Sequence, residues 1–197
     1  MIKPFKIPCV ILCGGQSRRM GEDKSLLPFS NSNSLTQYQY NKLKPHFNEI
    51  YLSSKVDKFD FDFNKDKYLV LDKGDVFSPL IALETIFKTI KSSKVFIITV
   101  DTPLVTIESI SRLINESINS DICVAQTQRT HNLCGVFSTN LLDEVKQMLS
   151  KDIHKIGYLL KNNKTKYIDF INEDEFINLN NKDEYNKAMS IISKSNK

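Results

Sequence analysis

Short apolar runs recur along this chain with amphipathic stretches between them, and that alternation limits the fold more than any other feature. The runs are residues 9–13, 49–53, 68–71, 95–100, 122–125 and 135–137. They carry Val and Ile with little polar alternation, the pattern of parallel strands covered on both faces. Residues 34–44, 79–90, 107–118, 141–149 and 182–192 have helical spacing instead. In the second of these, Leu80, Leu83, Ile86, Phe87 and Ile90 share one face. Strands that alternate with helices predict an α/β fold with right-handed crossovers around a mostly parallel sheet. Residues 30–34 read as a polar loop. Residues 56–67, rich in Asp and Lys with spaced Phe, read as an exposed connection, and the tail after Ile192 as frayed.

The chain has 197 residues, 41% of them hydrophobic and 25% charged. That suits one domain over residues 1–197, and excludes a disordered or repetitive chain. Its 27 basic and 23 acidic residues leave +4. Scattered lysines without an aromatic-basic pattern argue against nucleic acid. Cys9, Cys13, Cys123 and Cys134 form no CxxC pair and no zinc pattern, so they read as reduced thiols. The longest N-terminal apolar run is too short to span a membrane and lacks the features of a secretory signal. These readings predict a cytoplasmic protein with no membrane partner.

Glycine and arginine are both rare, yet they cluster. Gly14, Gly15 and Gly21 lie close together, with Arg18 and Arg19 between them. The first strand runs straight into this segment, Leu-Cys-Gly-Gly-Gln-Ser-Arg-Arg-Met-Gly-Glu-Asp-Lys-Ser-Leu-Leu over residues 12–27. It reads as a phosphate-binding loop. The glycines let backbone N–H groups approach an anion. Ser17 offers a hydroxyl, Arg18 or Arg19 can grip phosphate with paired donors, and Lys24 adds a movable point charge. The spacing fits neither a P-loop nor a dinucleotide fingerprint. A second motif, Val100-Asp101-Thr102-Pro103, puts a carboxylate at the carboxyl end of a buried strand, where α/β sheets bind ligands. One carboxylate with phosphate oxygens and waters suits Mg²⁺. Thr106 is better placed than Asp101 to cap the following helix.

The residue 12–27 segment resembles the signature of the molybdenum cofactor guanylyltransferases, and a looser resemblance extends to about residue 185. The resemblance implies a Rossmann-like three-layer sandwich of the nucleotide-diphospho-sugar-transferase kind. It also implies transfer of GMP from GTP to the terminal phosphate of molybdopterin, with Mg²⁺ and release of pyrophosphate. In that family the backbone at Leu12, Cys13 and Gly14 would meet the guanine nucleotide, Gly15 to Gly21 would wrap the phosphates, Lys24 would bind them, and Asp101 would hold the metal. Asp72 matches an acidic nucleotide-binding residue, and Ser53 stands where Asn is usual. Asn178 and Asn180 match a closing segment whose face looks toward the acceptor. Asn180 or Asn181 can also cap the last helix. Two family glycines are replaced here by Ser78 and Ala82.

The implied chemistry is in-line attack of the acceptor phosphate on the α-phosphorus, helped by Lys24, Arg18, Arg19 and Mg²⁺ on Asp101. A phosphate nucleophile is already anionic near neutral pH. No dedicated base is required, and no Ser-His-Asp arrangement is evident in the sequence. His131 reads as a positioned hydrogen-bond partner. Handover of a labile cofactor would bring transient contact with molybdenum-cofactor insertion proteins or acceptor enzymes. The base is not legible from one loop. A CTP-dependent enzyme of the same fold and a non-catalytic guanine-nucleotide-binding module therefore stay open.

Overall fold

Strand β1 (Cys9–Leu12) is buried along its whole length. Its alternate residues face opposite ways, so each side needs its own cover. Cys9 and Ile11 join one apolar cluster, and Val10 and Leu12 join another. The computed structural model describes residues 3–14, 23–72 and 76–195, and it supplies both covers. On the Ile11 side pack α1 (Leu35–Leu43), α4 (Ile107–Glu116) and α7 (Lys182–Ser195), through Leu43, Leu113 and Ile192. On the Leu12 side pack α3 (Pro79–Thr89), α5 (Leu142–Ser150) and α6 (Ile156–Asn162), through Leu83, Met148 and Leu159. The result is a three-layer α/β sandwich, with the covered sheet that the alternation predicts and the layering that the family resemblance implies.

The remaining strands are β2 (Ile50–Ser54), β3 (Leu69–Leu71), β4 (Lys94–Thr99), β5 (Ile122–Gln126), β6 (Thr130–Ser138) and β7 (Thr165–Asp169). They form one seven-stranded sheet in the order β3-β2-β1-β4-β6-β5-β7. The β3-β2, β2-β1, β1-β4 and β5-β7 pairs are parallel, while β6 runs antiparallel to both β4 and β5. Capping side chains set the starts of three helices. Ser34 Oγ accepts from Gln37 N (3.1 Å), Ser78 Oγ from Leu80 N (3.3 Å) and Thr106 Oγ1 from Ser109 N (3.1 Å). Pro79 occupies the first turn of α3, where its missing N–H is harmless.

Several sequence expectations need correction. The connection at residues 56–67 is not simply exposed. Phe59 is buried, and Phe61 and Phe63 pack against Tyr40 with ring centroids 5.4 and 6.0 Å away. Strict Phe–Asp alternation places the three rings on one side of an extended segment. Tyr68 ends a short helix, α2 (Lys65–Tyr68), capped by Asn64, rather than starting β3. Strand β6 begins at Thr130, before the apolar run at Gly135. Strand β7 and helix α6 were not predicted. β7 is an edge strand on which only Ile168 is buried, so its apolar signal is weak. Helix α7 continues to Ser195, so residues 193–195 are helical. No described helix is long and apolar enough to cross a membrane.

Gly135 is the tightest point in the sheet. A Cβ there would lie 2.1 Å from the carbonyl oxygen of Cys123 and 2.8 Å from Val124 Cα. Both are backbone atoms of β5, just before its register shifts between Val124 and Ala125. Gly135→Ala should therefore cost about 3 kcal/mol or more. Urea unfolding measures this, and a loss below about 0.5 kcal/mol would contradict the packing described.

Candidate active site

The order of strands reverses beside β1. The chain leaves β1 for β2 and β3 on one side, then returns to place β4 on the other. Such a switch point opens a crevice at the carboxyl ends of the two strands. Leu12 and Thr99 are partners there, and Val100 N donates to the Leu12 carbonyl (3.0 Å). Gly14 and Asp101 follow directly. Two cavities meet at this edge and share Thr99 and Leu133 in their walls.

The first cavity, about 330 Å³, is lined by Leu12, Gly14, Ser53, Lys55, Asp72 and Phe77, with Ser78, Pro79 and Ala82 at the start of α3. Ser53 Oγ donates to Asp72 Oδ1 (3.0 Å). Burial raises the Asp72 carboxyl above its ordinary value, while Ser53 and Lys55 act the other way. A Cβ at Gly14 would make only ordinary van der Waals contact, 3.9 Å from Asp72 Oδ2. Lys55 lies over the Phe77 ring, 5.4 Å from its centroid. Cys13 stands behind this wall. Its N–H donates to the Ser53 carbonyl (2.8 Å), and burial pushes its thiol up to about 12, so it contributes backbone rather than reactivity.

The second cavity, about 240 Å³, is lined by Asp101, Thr102, Arg129, His131 and Asn178 among others. Asp101 Oδ1 is buried and accepts no hydrogen bond among the described residues. A buried carboxylate oxygen without a donor is costly unless a ligand completes it. The Asp101 carbonyl accepts from Leu179 N (2.8 Å), which joins the 178–180 segment to this edge. Lys24 Nζ donates to Asn180 Oδ1 (3.0 Å). Asn178 thus faces the Asp101 cavity while Asn180 meets Lys24. The cap of α7 falls to Asn181, whose Oδ1 accepts from Glu184 N (2.9 Å).

Gly15, Ser17, Arg18, Arg19 and Gly21 lie outside the described residues. The two ends of their segment are nonetheless tied together by Lys58, a residue the sequence did not single out. Its Nζ donates to the Cys13 carbonyl (3.0 Å) and pairs with Asp23 Oδ2 (2.5 Å). Asp23 also accepts from Ser25 N and Ser25 Oγ. Nothing in the charged run around Lys58 distinguishes it; the neighbouring Phe alternation is the signal that its segment is anchored. A Ser78–His154–Asp152 chain also exists, with 2.9 Å at each link. Ser78 caps α3 in this chain and Asp152 is almost wholly exposed, so the arrangement is a capping network rather than a nucleophile site.

His131 is held rather than free. Its Nε2 is 2.9 Å from Thr127 Oγ1, and its ring stacks on Phe176 at 4.7 Å. Burial, with Arg129 adding to it, lowers its pKa to about 4, so it is neutral at pH 7. A folded pKa below the unfolded one means that the unfolded chain binds the extra proton first. Stability from this group is complete above the unfolded value and declines as pH falls toward 4. His131→Gln should therefore lose less stability than the parent between about pH 6.5 and 4. Urea midpoints across that range measure it, and parallel curves would refute the assignment.

Comparison with known proteins shows the family. Residues 9–165 match the family model described as MobA-like NTP transferase domain. A molybdenum cofactor guanylyltransferase from Campylobacter jejuni subsp. doylei is 41% identical over 187 residues, covering 94% of this chain and 96% of the relative. One from Helicobacter pylori is 33% identical, covering 95% and 94%. The crystal structure of molybdopterin-guanine dinucleotide biosynthesis protein A from Archaeoglobus fulgidus superposes with a TM-score of 0.77 at 17% identity, over 95% of this chain and all of that one, which shows the shared fold. With the sandwich, the switch-point crevice and relatives matched over nearly their whole length, this chain belongs to the MobA-like nucleotidyltransferases, among the molybdenum cofactor guanylyltransferases.

Proposed function

We propose that this protein transfers GMP from GTP to the terminal phosphate of molybdopterin and releases pyrophosphate. The observation that carries the reading is the pair of adjoining cavities at the β1/β4 switch point, with Asp101 in the second and its Oδ1 accepting no hydrogen bond among the described residues. The first cavity suits the donor nucleotide. Asp72 and Ser53 offer polar groups to the ribose or base, and the backbone at Leu12, Cys13 and Gly14 borders them. Lys24, with Gly15, Ser17, Arg18, Arg19 and Gly21, would meet the phosphates. The second cavity would take the acceptor, with Asn178 in its wall and Asn180 tied to Lys24.

The residues present fit a divalent ion. Among the described residues no three His, Cys, Asp or Glu side chains gather as a ligand set. An ion at Asp101 would therefore take its other ligands from phosphate and water, as Mg²⁺ commonly does. When bound, Mg²⁺ would neutralise charge on the phosphates. The protein's own work is alignment: Lys24 and the loop arginines hold the donor, and the second cavity aims the acceptor oxygen at the α-phosphorus. His131, tied to Thr127, lines this cavity as a positioned side chain. The relatives' names indicate the cofactor pathway, and contact with insertion proteins or acceptor enzymes would follow from handover of the product.

Incubation with GTP, Mg²⁺ and molybdopterin should release pyrophosphate and yield the guanine dinucleotide. Asp101→Asn keeps the side-chain shape and should lower turnover by about a hundredfold or more. Turnover near the parent value would remove Asp101 from the metal site. Lys24→Ala should weaken GTP binding by about tenfold, and unchanged affinity in calorimetry would refute its phosphate role.

A further inference from the structure

Lys42 is a half-buried cation outside both cavities. It lies on α1, and its Nζ donates to the Pro103 carbonyl (2.8 Å) and to the Val105 carbonyl. Nearly one turn earlier on the same helix, Gln39 Nε2 donates to the Thr102 carbonyl (3.3 Å). One side of α1 therefore gathers three carbonyls from the segment that follows Asp101. Glu175 holds the end of that segment: its Oε1 accepts from Thr106 N and Thr106 Oγ1, both at 2.7 Å.

An ammonium inside a protein is expensive, and an apolar side chain of similar length would fill the same space without that cost. Burial lowers the Lys42 pKa to about 8, against the pull of Glu175 and Cys134. What the ammonium supplies is geometric. It is a single donor on which two carbonyls, two residues apart, must converge, and that fixes the turn carrying the chain away from Asp101. Lys42 touches neither cavity, so it acts through this segment.

We propose that Lys42 is a positioning residue for Asp101, holding residues 102–105 so that the Asp101 carboxylate keeps its place in the second cavity and takes a divalent ion there. The proposal rests on the reading of Asp101 given above. It assigns the specificity of the effect: metal binding and turnover depend on Lys42, while docking of the nucleotide on the β1–β2–β3 side does not.

The test compares the full-length parent with Lys42→Met and Lys42→Arg in three measurements. These are amide hydrogen exchange over residues 100–106, Mn²⁺ affinity by electron paramagnetic resonance with GTP present, and GTP affinity in EDTA. Lys42→Met should speed exchange in that segment and weaken Mn²⁺ binding by tenfold to about a hundredfold, with GTP affinity in EDTA held within about twofold. Lys42→Arg, which keeps charge and donors, should recover most of the Mn²⁺ affinity. A folded Lys42→Met with parent-like exchange and Mn²⁺ affinity would overturn the proposal, as would an equal fall in GTP affinity without metal. Should Lys42→Met fail to fold, Gln39→Leu, which removes the Thr102 contact alone, should shift exchange and Mn²⁺ affinity in the same direction by less; no shift would overturn it. Failure of the guanylyltransferase reading looks different. The parent would then bind neither GTP nor Mn²⁺, while exchange would still show whether Lys42 holds the segment.

Discussion

The parallel pairing of β1 with β4 is the constraint on which the site depends. Because Leu12 lies opposite Thr99, the segments that leave the two strands begin at the same edge of the sheet. One is the glycine-rich segment after Cys13, and the other carries Asp101. Burial on both faces makes this register hard to change. A slip of one residue would turn Val10 and Leu12 toward the wrong helices. The paired strands thus fix where the two connections start, and those connections carry the residues proposed to meet phosphate.

Those connections are held by buried or half-buried lysines rather than by apolar packing alone. Lys58 joins Cys13 to Asp23 across the glycine-rich segment, and Lys42 gathers the carbonyls after Asp101. Each lysine comes from an element anchored by aromatic or aliphatic packing: Phe59 beside Lys58, and Leu43 beside Lys42. Backbone carbonyls in turns need donors when they are buried. A long side chain from a neighbouring element can reach several of them at once. Nucleotidyl transfer needs little covalent chemistry from the protein, so fixing such segments is a large part of what the fold can contribute.

Most of the architecture was legible because burial leaves a strong pattern. The runs at β1, β4 and β5, the apolar face of α3, the Thr106 cap and Pro79 at the first turn of α3 all follow from residue type and spacing. The failures have physical causes. Strand β7 lies at an edge and buries only Ile168, so alternation carries little information there. Helix α6 is short. The Phe59, Phe61 and Phe63 alternation was present, but the intervening charges made the segment read as solvent-exposed. In the site, Gly14 and Asp101 stood out because a glycine and a carboxylate follow strand ends, Lys24 because it closes the glycine-rich segment, and Leu12 only through the family resemblance. Lys42 and Lys58 did not, since a lysine that binds carbonyls looks in sequence like any surface lysine. Their function depends on which distant turn they meet.

The central claim is that the first cavity binds guanine nucleotide, with a metal at Asp101 in the second. Calorimetry with GTP, CTP, ATP and UTP, each in Mg²⁺ and in EDTA, tests it most directly. The account predicts preferential binding of GTP that tightens when Mg²⁺ is present. Preference for CTP would contradict the base assignment while leaving the fold and the Asp101 geometry in place. Failure of every triphosphate to bind would contradict the account of the site itself.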